Sequence, residues 1–243
     1  MLMSEVKITV LIDDLNGAIK SFILSYGFAA LIELNNKKIL FDTGTNIDPL
    51  LKNLKTYGIL PSELDGIILS HNHYDHTDGV PGILRENPNI PIYVHKDWDR
   101  ATSFKGFQIP FENKKIILGG TQLHELSPFI YLTNSHYSSD YGGIYEHACY
   151  IKAEKSFILL CGCCHPGLIK FLEDRGILGI PHDMVLHIMG GMHGFKFSEN
   201  DVRRMDSIIK SITLFHCTMN AKKFKEQFGN KCHIGVVGKT LNF

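Results

Sequence analysis

The fold is decided by the stretch Ser70-His71-Asn72-His73-Tyr74-Asp75-His76, which places four potential metal ligands within six residues. Directly before it, the apolar run Gly66–Leu69 is short enough for a buried strand, and Asp78-Gly79 follows as at the start of a helix. We therefore expect the ligands on a tight turn at the carboxyl end of a strand, where open α/β sheets place their ligand sites.

The order H-x-H-x-D-H predicts a metal site that uses His71, His73, Asp75 and His76. Neutral imidazole and carboxylate suit zinc, iron or manganese. A polar surface turn that is histidine-rich by chance is the alternative, and the rarity of histidine argues against it.

Composition narrows the functional class. The 243 residues fit one domain, residues 1–243, and 44% of them are hydrophobic, enough for a real core. Lys+Arg and Asp+Glu both number 25, so the basic excess of a general nucleic-acid binder is missing. We expect a small-molecule substrate rather than nucleic acid.

The sequence predicts a cytoplasmic protein that does not enter the membrane. Residues 1–7 lack the basic-then-apolar order of a signal peptide, and no apolar run approaches membrane-spanning length. No Cys-x-x-Cys pair occurs among the six cysteines, so neither a thiolate zinc knuckle nor a disulfide framework is expected.

The same order of elements is predicted twice along the chain. Residues 29–41 and 148–161 each indicate a hairpin, followed by a polar loop and then a helix. This layout predicts two similar halves whose sheets face each other. We expect the first of the two helices to be capped by Asp48, to continue from Pro49 and to end at Gly58.

Two further helices are predicted near the end of the chain. One has Ser198 as its cap and is expected to bury apolar residues at helical spacing, and the other runs from Asn220 to Phe228. The apolar residues assigned to the first of them are Val202, Met205, Ile209 and Ile212.

Three later histidines, His165, His193 and His216, each follow a predicted strand. Such positions fall on one rim of the sheets, so convergence with the first cluster is expected. Asp42, at the end of the first hairpin, is predicted to orient a ligand histidine as well as to cap a turn. For Asp13 and Asp14 we favour a turn role. Solvated loops are expected for His95, His124, His136, His182 and His233, and a packed strand position for His187.

These motifs resemble the metallo-β-lactamase superfamily over essentially the whole chain. The resemblance is carried by the H-x-H-x-D-H run, by Phe41-Asp42-Thr43-Gly44 before it, and by Gly162-Cys163 and His216 after it. It implies an α/β (α+β) fold, a four-layer αββα sandwich of two similar halves.

Within that superfamily the chain resembles a narrower group, labelled 7,8-dihydropterin-6-yl-methyl-4-(β-D-ribofuranosyl)aminobenzene-5'-phosphate synthase-like. The shared motifs are Gly162–Gly167, Gly190-Gly191-Met192-His193 and His216-Cys217-Thr218, with Met219 where the group usually has glycine.

The resemblance also implies how the ligands divide between two ions, with zinc favoured and manganese or iron as alternatives. It assigns His71, His73 and His165 to one ion, and Asp75, His76 and His216 to the other. The superfamily's Gly-His-Thr turn is missing here; His165 is the best replacement for its histidine and His136 the second choice. Cys163 stands where most hydrolytic members carry the aspartate that bridges the metals, so one firm metal and a weaker second site are implied.

The implied activity is hydrolysis by a metal-activated hydroxide, and the expected substrate is a small phosphoester or phosphodiester metabolite. In that mechanism Asp75 orients the nucleophile and His193 protonates the leaving group or holds an oxyanion. The alternatives are a non-catalytic metal-containing sensor or scaffold, and the synthase-like activity in the group's label. Flavodiiron redox chemistry is disfavoured because His73 stands where those proteins have glutamate. Homodimers occur among similar proteins.

Overall fold

A computed structural model describes residues 5–194 and 198–243. Residues 1–4, part of the amino-terminal segment considered above, lie outside the described residues. The helices are α1 Ile47–Tyr57, α2 Tyr74–Thr77, α3 Val80–Glu86, α4 Leu168–Glu173, α5 Glu199–Ile208 and α6 Ala221–Phe228. The strands of the first half are β1 Lys7–Ile12, β2 Gly17–Ala18, β3 Ala29–Leu34, β4 Lys37–Phe41, β5 Gly66–Ile68, β6 Ile92–His95 and β7 Lys114–Ile117. Those of the second half are β8 Thr121–Gln122, β9 Ile130–Leu132, β10 His136–Ser138, β11 Ile144–Glu146, β12 Cys149–Lys152, β13 Phe157–Cys161, β14 Leu186–Gly190, β15 Ile209–Leu214, β16 Cys232–Ile234, β17 Val236–Val237 and β18 Thr240–Asn242.

The first sheet has the strand order β18-β1-β3-β4-β5-β6-β7. Its β3–β4 hairpin turns at Asn35 and Asn36, whose φ angles of 50° and 65° are ones that asparagine tolerates better than most residues. From β4 to β7 the strands run parallel, so their carboxyl ends meet at one edge of the sheet.

The second sheet repeats this plan, with the order β16-β15-β14-β13-β12-β9-β8. Its β12–β13 hairpin is antiparallel, and β13, β14, β15 and β16 then run parallel. The prediction of two similar halves, each with a hairpin followed by a polar loop and a helix, is therefore confirmed.

Three apolar clusters give the layers their order. The first lies between the sheets and joins residues such as Ile32 and Phe41 to Ile158 and Leu160 of the other half. The second packs α4, α5 and α6 on the outer face of the second sheet, and the third packs α1 and α3 on the outer face of the first. The predicted four-layer αββα sandwich is confirmed, since a sheet with both faces apolar needs a cover on each side.

Two predicted helix boundaries were wrong. Helix α1 begins at Ile47 after the cap residue Asn46, two residues earlier than an Asp48 cap would place it, although Gly58 ends it in a left-handed conformation as predicted. Helix α5 has the predicted Ser198 cap but ends at Ile208. Ile209 and Ile212 belong to β15, because this segment extends the parallel ladder on β14 and spacing by three residues is compatible with either structure.

Within residues 5–194 and 198–243, no helix has the length and apolar character required to cross a membrane.

Candidate metal centre

The parallel strands end at the same edge of each sheet, so the loops that follow them lie next to one another. In the second sheet Cys161 pairs with Gly190, and Gly190 with Leu214, so β13, β14 and β15 end side by side. In the first sheet Phe41 pairs with Ile68, which places Asp42 beside the turn that begins at Ser70. The H-x-H-x-D-H turn and the loops of the second half therefore meet at one rim.

The first group of donors consists of His71, His73 and His165. Their ligand atoms all lie within 4.8 Å of one another, although the third histidine comes from the other half of the chain. The ring centroids are 4.7 Å apart for His71 and His73, and 4.9 Å for His71 and His165. This is the set that the resemblance assigned to one ion, and its role as a ligand set stays a prediction.

The chemistry of this group fits a metal. The Nε2 atoms of His71 and His165 are buried and have no hydrogen-bond partner. Their Nδ1 atoms contact Ser70 Oγ at 2.9 Å and Asp140 Oδ2 at 3.1 Å. Burial lowers the pKa of His165 to about 3 and that of His73 to about 4, so both imidazoles are neutral at pH 7. Neutral imidazoles with bare, converging nitrogens are what zinc requires.

The second group consists of Asp75, His76 and His216, whose ligand atoms also lie within 4.8 Å of one another. His216 Nε2 is 3.1 Å from Asp75 Oδ2, and His76 Nε2 is 4.0 Å from the same oxygen. All three residues are buried. The structure thus also brings together the set that the resemblance assigned to a second ion.

Carboxylates hold the outer nitrogens of the second group. Asp42 Oδ2 lies 2.7 Å from His76 Nδ1, which is the orienting contact predicted from the sequence. Asp14 Oδ1 lies 2.5 Å from His216 Nδ1, and Asp13 accepts the backbone N–H of His216 at 2.5 Å. A pure turn role for Asp13 and Asp14 was therefore wrong: Asp13 does accept Leu15 N–H, but both carboxylates also fix His216.

Negative charge dominates the second group. Burial opposes protonation of His76 and His216, yet Asp42 and Asp75 raise the pKa of His76, and contacts with Asp14 and Asp75 raise the pKa of His216 to about 10. Burial also opposes ionisation of Asp75, but His76 and His216 lower its pKa. Such a site attracts a cation, and a divalent ion would replace the protons on these histidines.

Cys163 lies between the two groups. Its Sγ atom is 3.1 Å from His76 Nε2, and its ligand atom lies within 4.8 Å of those of His71 and His76. The thiol is 3% exposed, and burial raises its pKa when no ion is bound. Cys163 is therefore placed where the resemblance expects a residue that bridges two ions, and that role stays a prediction.

Glu146 was not predicted, yet it holds the loop that carries Cys163 and His165. Its Oε1 accepts N–H from Cys163 and Cys164 at 2.9 and 2.8 Å, and its Oε2 accepts N–H from His165 at 2.7 Å. Burial raises the pKa of Glu146 to about 7, while these N–H donors favour its charged form. A lone glutamate at the end of β11 gives no motif, so only its partners reveal the role.

The remaining histidines are distributed unevenly. His136, the second choice for the missing ligand, lies outside both groups and contacts Asp174 Oδ2 at 2.9 Å. His95 is buried rather than solvated, because it lies on the interior strand β6 against His147. His187 is only partly buried and contacts Ser211 Oγ at 2.7 Å. As predicted, His124 and His182 are exposed on loops. His233 is exposed but lies on strand β16, and His136 is partly buried on strand β10, so the loop prediction was wrong for both.

A pocket of about 120 Å³ opens above the two groups. His193 is part of its wall, with its ring centroid 4.4 Å from that of His165. A hydrogen bond with Cys217 raises the pKa of His193. Four aromatic side chains also line this pocket: Tyr26, Tyr74, Phe104 and Tyr141. A larger cavity of about 520 Å³ lies at the β15–β16 edge and contains none of the grouped ligands.

The sequence profile of the metallo-beta-lactamase superfamily matches residues 23–146 of this chain. The chain belongs to that superfamily. A relative from Methanocaldococcus jannaschii, 7,8-dihydropterin-6-methyl-4-(beta-D-ribofuranosyl)-aminobenzene-5'-phosphate synthase, is 30% identical to this chain, and the match covers 97% of each of the two chains. An uncharacterized protein of the same organism is also 30% identical, over 96% of this chain and 99% of its own. The resemblance to this narrower group is thereby confirmed.

Solved structures of metallo-beta-lactamase proteins share the fold. Tm1679, described as a metal-dependent hydrolase of the beta-lactamase superfamily, superposes with a TM-score of 0.74 at 20% identity, over 97% of this chain and 98% of its own. A diphosphatase from the PhnP family superposes with a TM-score of 0.58 at 13% identity, over 100% of this chain and 98% of its own. At these identities the likeness establishes the architecture alone.

Proposed function

We propose that the protein is a metal-dependent hydrolase that cleaves a small phosphoester or phosphodiester metabolite. One observation supports the proposal: two donor groups lie next to each other, both beside Cys163, at the base of an open pocket. A purely structural metal site has a closed ligand shell, whereas a catalytic one keeps a position open toward the substrate.

The residues present fit one or two zinc ions. His71, His73 and His165 would hold one ion, and Asp75, His76 and His216 the other. Bound there, zinc would supply Lewis-acid polarisation of a phosphoryl oxygen and water of lowered pKa.

The protein's own residues divide the remaining work. Asp75 is held by His216, so its carboxylate is fixed in orientation where the pocket meets the second group. His193 has a raised pKa and faces the same pocket, which suits donation of a proton to the leaving oxygen. Asp75 and His193 are the two residues predicted to be catalytic, and both line the pocket.

The pocket wall supports a substrate with a flat apolar part. The rings of Tyr26, Phe104 and Tyr141 are about half exposed at the mouth, where they offer faces for stacking. Neither lysine nor arginine is among the side chains lining this pocket, so the phosphoryl group is recognised at the donor groups and His193. An aryl or heteroaryl phosphoester satisfies both requirements.

The proposal is tested with zinc-loaded protein and bis(4-nitrophenyl) phosphate or 4-nitrophenyl phosphate as substrate. We expect Asp75→Ala to abolish turnover and His193→Gln to lower kcat by about 10²–10⁴-fold, the range of a lost proton donor. The matched control Asp99→Asn changes an exposed carboxylate outside the centre and should leave kcat/KM unchanged. Background rates with both zinc ions bound would count against the proposal.

A second candidate is a synthase-like activity, favoured by the 30% identity to the Methanocaldococcus jannaschii synthase over nearly the whole chain. The product in that enzyme's name carries a 5'-phosphate, so both candidate functions involve a phosphate-bearing ligand. One experiment distinguishes the two candidate functions. A synthase would consume a phosphate-bearing substrate only when a second, pterin-type substrate is present, whereas a hydrolase would not need the second substrate. A non-catalytic sensor is separated by Asp75→Ala, which would leave the affinity for a small ligand intact.

A further inference from the structure

Two cysteine thiols meet beside the second donor group. Cys217 Sγ lies 3.0 Å from Cys163 Sγ, although the residues follow different strands of the second sheet. The ligand atoms of Cys163, Cys217 and His216 all lie within 4.8 Å of one another. Sequence analysis treated Cys217 only as part of a family motif, so this contact is unexplained by the predicted ligand sets.

The backbone is shaped to bring the Cys217 thiol into the centre. Cys217 has a φ of 55°, a left-handed conformation that costs free energy for a residue with a side chain. The turn is held by Thr218 Oγ1, which donates to the carbonyl of Phe215 at 2.6 Å and accepts Met192 N–H at 3.1 Å. Strain that surrounding contacts maintain is typical of functional sites.

Gly191 leaves the space that the thiol occupies. A Cβ atom at position 191 would lie 2.6 Å from Cys217 Sγ and 2.5 Å from the carbonyl oxygen of Gly162. Any residue other than glycine would therefore displace the thiol or the loop that carries Cys163. Glycine is therefore required at position 191 by the close packing of this backbone against Cys217.

The other cysteines have a different environment. They pack into the apolar clusters on either face of the second sheet and serve as small core residues: Cys149, Cys161, Cys164 and Cys232. Cys163 and Cys217 belong to neither cluster and both line the pocket above the donor groups. The two thiols that meet are therefore also the two that face the centre.

The distances between these donor atoms are close to those expected between ligands of one metal ion. Two thiolates on one tetrahedral zinc lie about 3.8 Å apart, which follows from a Zn–S bond of about 2.3 Å. The Sγ atoms, now 3.0 Å apart, need only a small separation to reach that distance. Nitrogen donors lie beside the two thiols. His76 Nε2 is 3.1 Å from Cys163 Sγ, and the ligand atom of His216 lies within 4.8 Å of both Sγ atoms.

We propose that Cys163 and Cys217 ligate the second ion together with His216, so that this half of the centre is a dithiolate site. The ligand atoms of these three residues all lie within 4.8 Å of one another, while Asp75 contacts His216 and His76 contacts Cys163, each at 3.1 Å. The inference rests on the proposed metal-dependent function and replaces the assignment of that ion to Asp75, His76 and His216. Two thiolates and one imidazole leave a fourth tetrahedral position open, and such a donor set selects zinc or another thiophilic ion and disfavours manganese and magnesium. The group of His71, His73 and His165 contains only imidazole nitrogens and lacks that selectivity. The two halves of the centre would therefore differ in metal preference.

The test is a cobalt(II) titration of the metal-free full chain, with reductant and without oxygen. Thiolate ligation gives near-ultraviolet charge-transfer absorption, and elemental analysis counts the bound cobalt. We expect absorption in the native chain and a loss of about half of it in Cys217→Ala and in Cys163→Ala, one sulfur ligand of two in each case. The matched control is Cys164→Ala, next to Cys163 but packed in the core, which should keep the full band. Excess manganese should not reduce the band.

The outcomes separate this inference from the proposed function. Full absorption in a folded Cys217→Ala protein, confirmed by circular dichroism, would overturn the dithiolate site and leave the hydrolase proposal standing. Bound cobalt without charge-transfer absorption in the native chain would do the same. Failure of the native chain to bind cobalt at all would remove both.

Discussion

At the scale of single residues, Asp42 determines which ring nitrogen carries the proton in one histidine of each donor group. Its Oδ1 accepts Ser70 N–H at 2.7 Å, and its Oδ2 accepts Ser70 Oγ–H and His76 Nδ1–H, each at 2.7 Å. Because the Ser70 hydroxyl donates to Asp42, its oxygen accepts a hydrogen bond from His71 Nδ1–H at 2.9 Å. One carboxylate therefore holds the Nδ1–H groups of both histidines, so that Nε2 is the nitrogen of each ring that faces the donor groups and is available to a metal.

Replacing Asp42 by asparagine should weaken zinc binding by about 10–100-fold, the usual cost of losing such a supporting group. The asparagine amide would present N–H groups to donors that need an acceptor. Competition with a chromophoric zinc chelator measures the affinity. Asp65→Asn is the matched control, because Asp65 contacts Lys37 and the Lys38 backbone away from the centre. Equal affinities in the two variants would refute the role of Asp42.

Sequence analysis predicted the Asp42 contact but not that of Asp14, and the reason is sequence distance. Asp42 lies 34 positions from His76, within one half of the chain and one recognisable motif. Asp14 lies 202 positions from His216, and only packing of the two halves brings them together. A short turn explains an aspartate equally well, so the pattern alone could not distinguish the two roles.

At the scale of elements, β11 acts on the site through Glu146 at its end. Three backbone N–H groups of the loop after β13 point at this one carboxylate. Gly162 lets the loop approach the first half, since a Cβ there would lie 2.1 Å from Ser70 Oγ. Cys163 and His165 thus owe their positions to an acceptor on another element rather than to their own strand.

Glu146→Gln should lower the free energy of unfolding by about 1–3 kcal/mol, because the amide N–H groups would face at least one buried backbone donor. Zinc affinity should fall as well, since the loop shifts. Urea denaturation of the metal-free protein measures the first effect and chelator competition the second. Glu154→Gln, on an exposed turn, controls for the loss of charge. A stability equal to that of the native chain would contradict this account.

The elements that sequence analysis predicted well are those with continuous apolar runs and distinctive turns. The hairpin of β3 and β4 has both, and its bounds of 29–34 and 37–41 match the prediction. The boundary between α5 and β15 has neither, because Ile208 and Ile209 are suitable for both structures and no glycine or proline separates them. There the parallel pairing with β14, which is a tertiary interaction, decides the outcome.

At the scale of the whole molecule, buried neutral histidines connect stability to pH. Burial lowers the pKa of His147 to about 4, and it lowers that of His95 well below the ordinary value of 6.5. Above pH 6.5 neither the folded nor the unfolded form of these side chains carries a proton. Between pH 6.5 and 4 the unfolded state binds protons that the folded state excludes, so stability decreases as the pH falls.

His147→Gln should make this decrease shallower, by about 1.4 kcal/mol per pH unit, because one titrating side chain is removed. Glutamine can keep a donor to the carbonyl of Leu69, which His147 Nε2 contacts at 2.9 Å. Urea unfolding of the chelated protein between pH 7 and 4.5 measures the slope. The exposed His124→Gln serves as the control. An unchanged slope in the His147 variant would show that another group causes the acid sensitivity.

The division of the ligands between the halves has a consequence for how the protein is made. His71, His73, Asp75 and His76 lie before the second sheet in the chain, whereas Cys163, His165 and His216 follow or lie within it. A ribosome therefore releases an open half-site long before its partners exist, and small folding units generally form in the order of synthesis. If the proposed ligands bind zinc, we expect stable binding only after the second half has been synthesised, and a nascent chain arrested after β7 should retain zinc far more weakly than the finished protein.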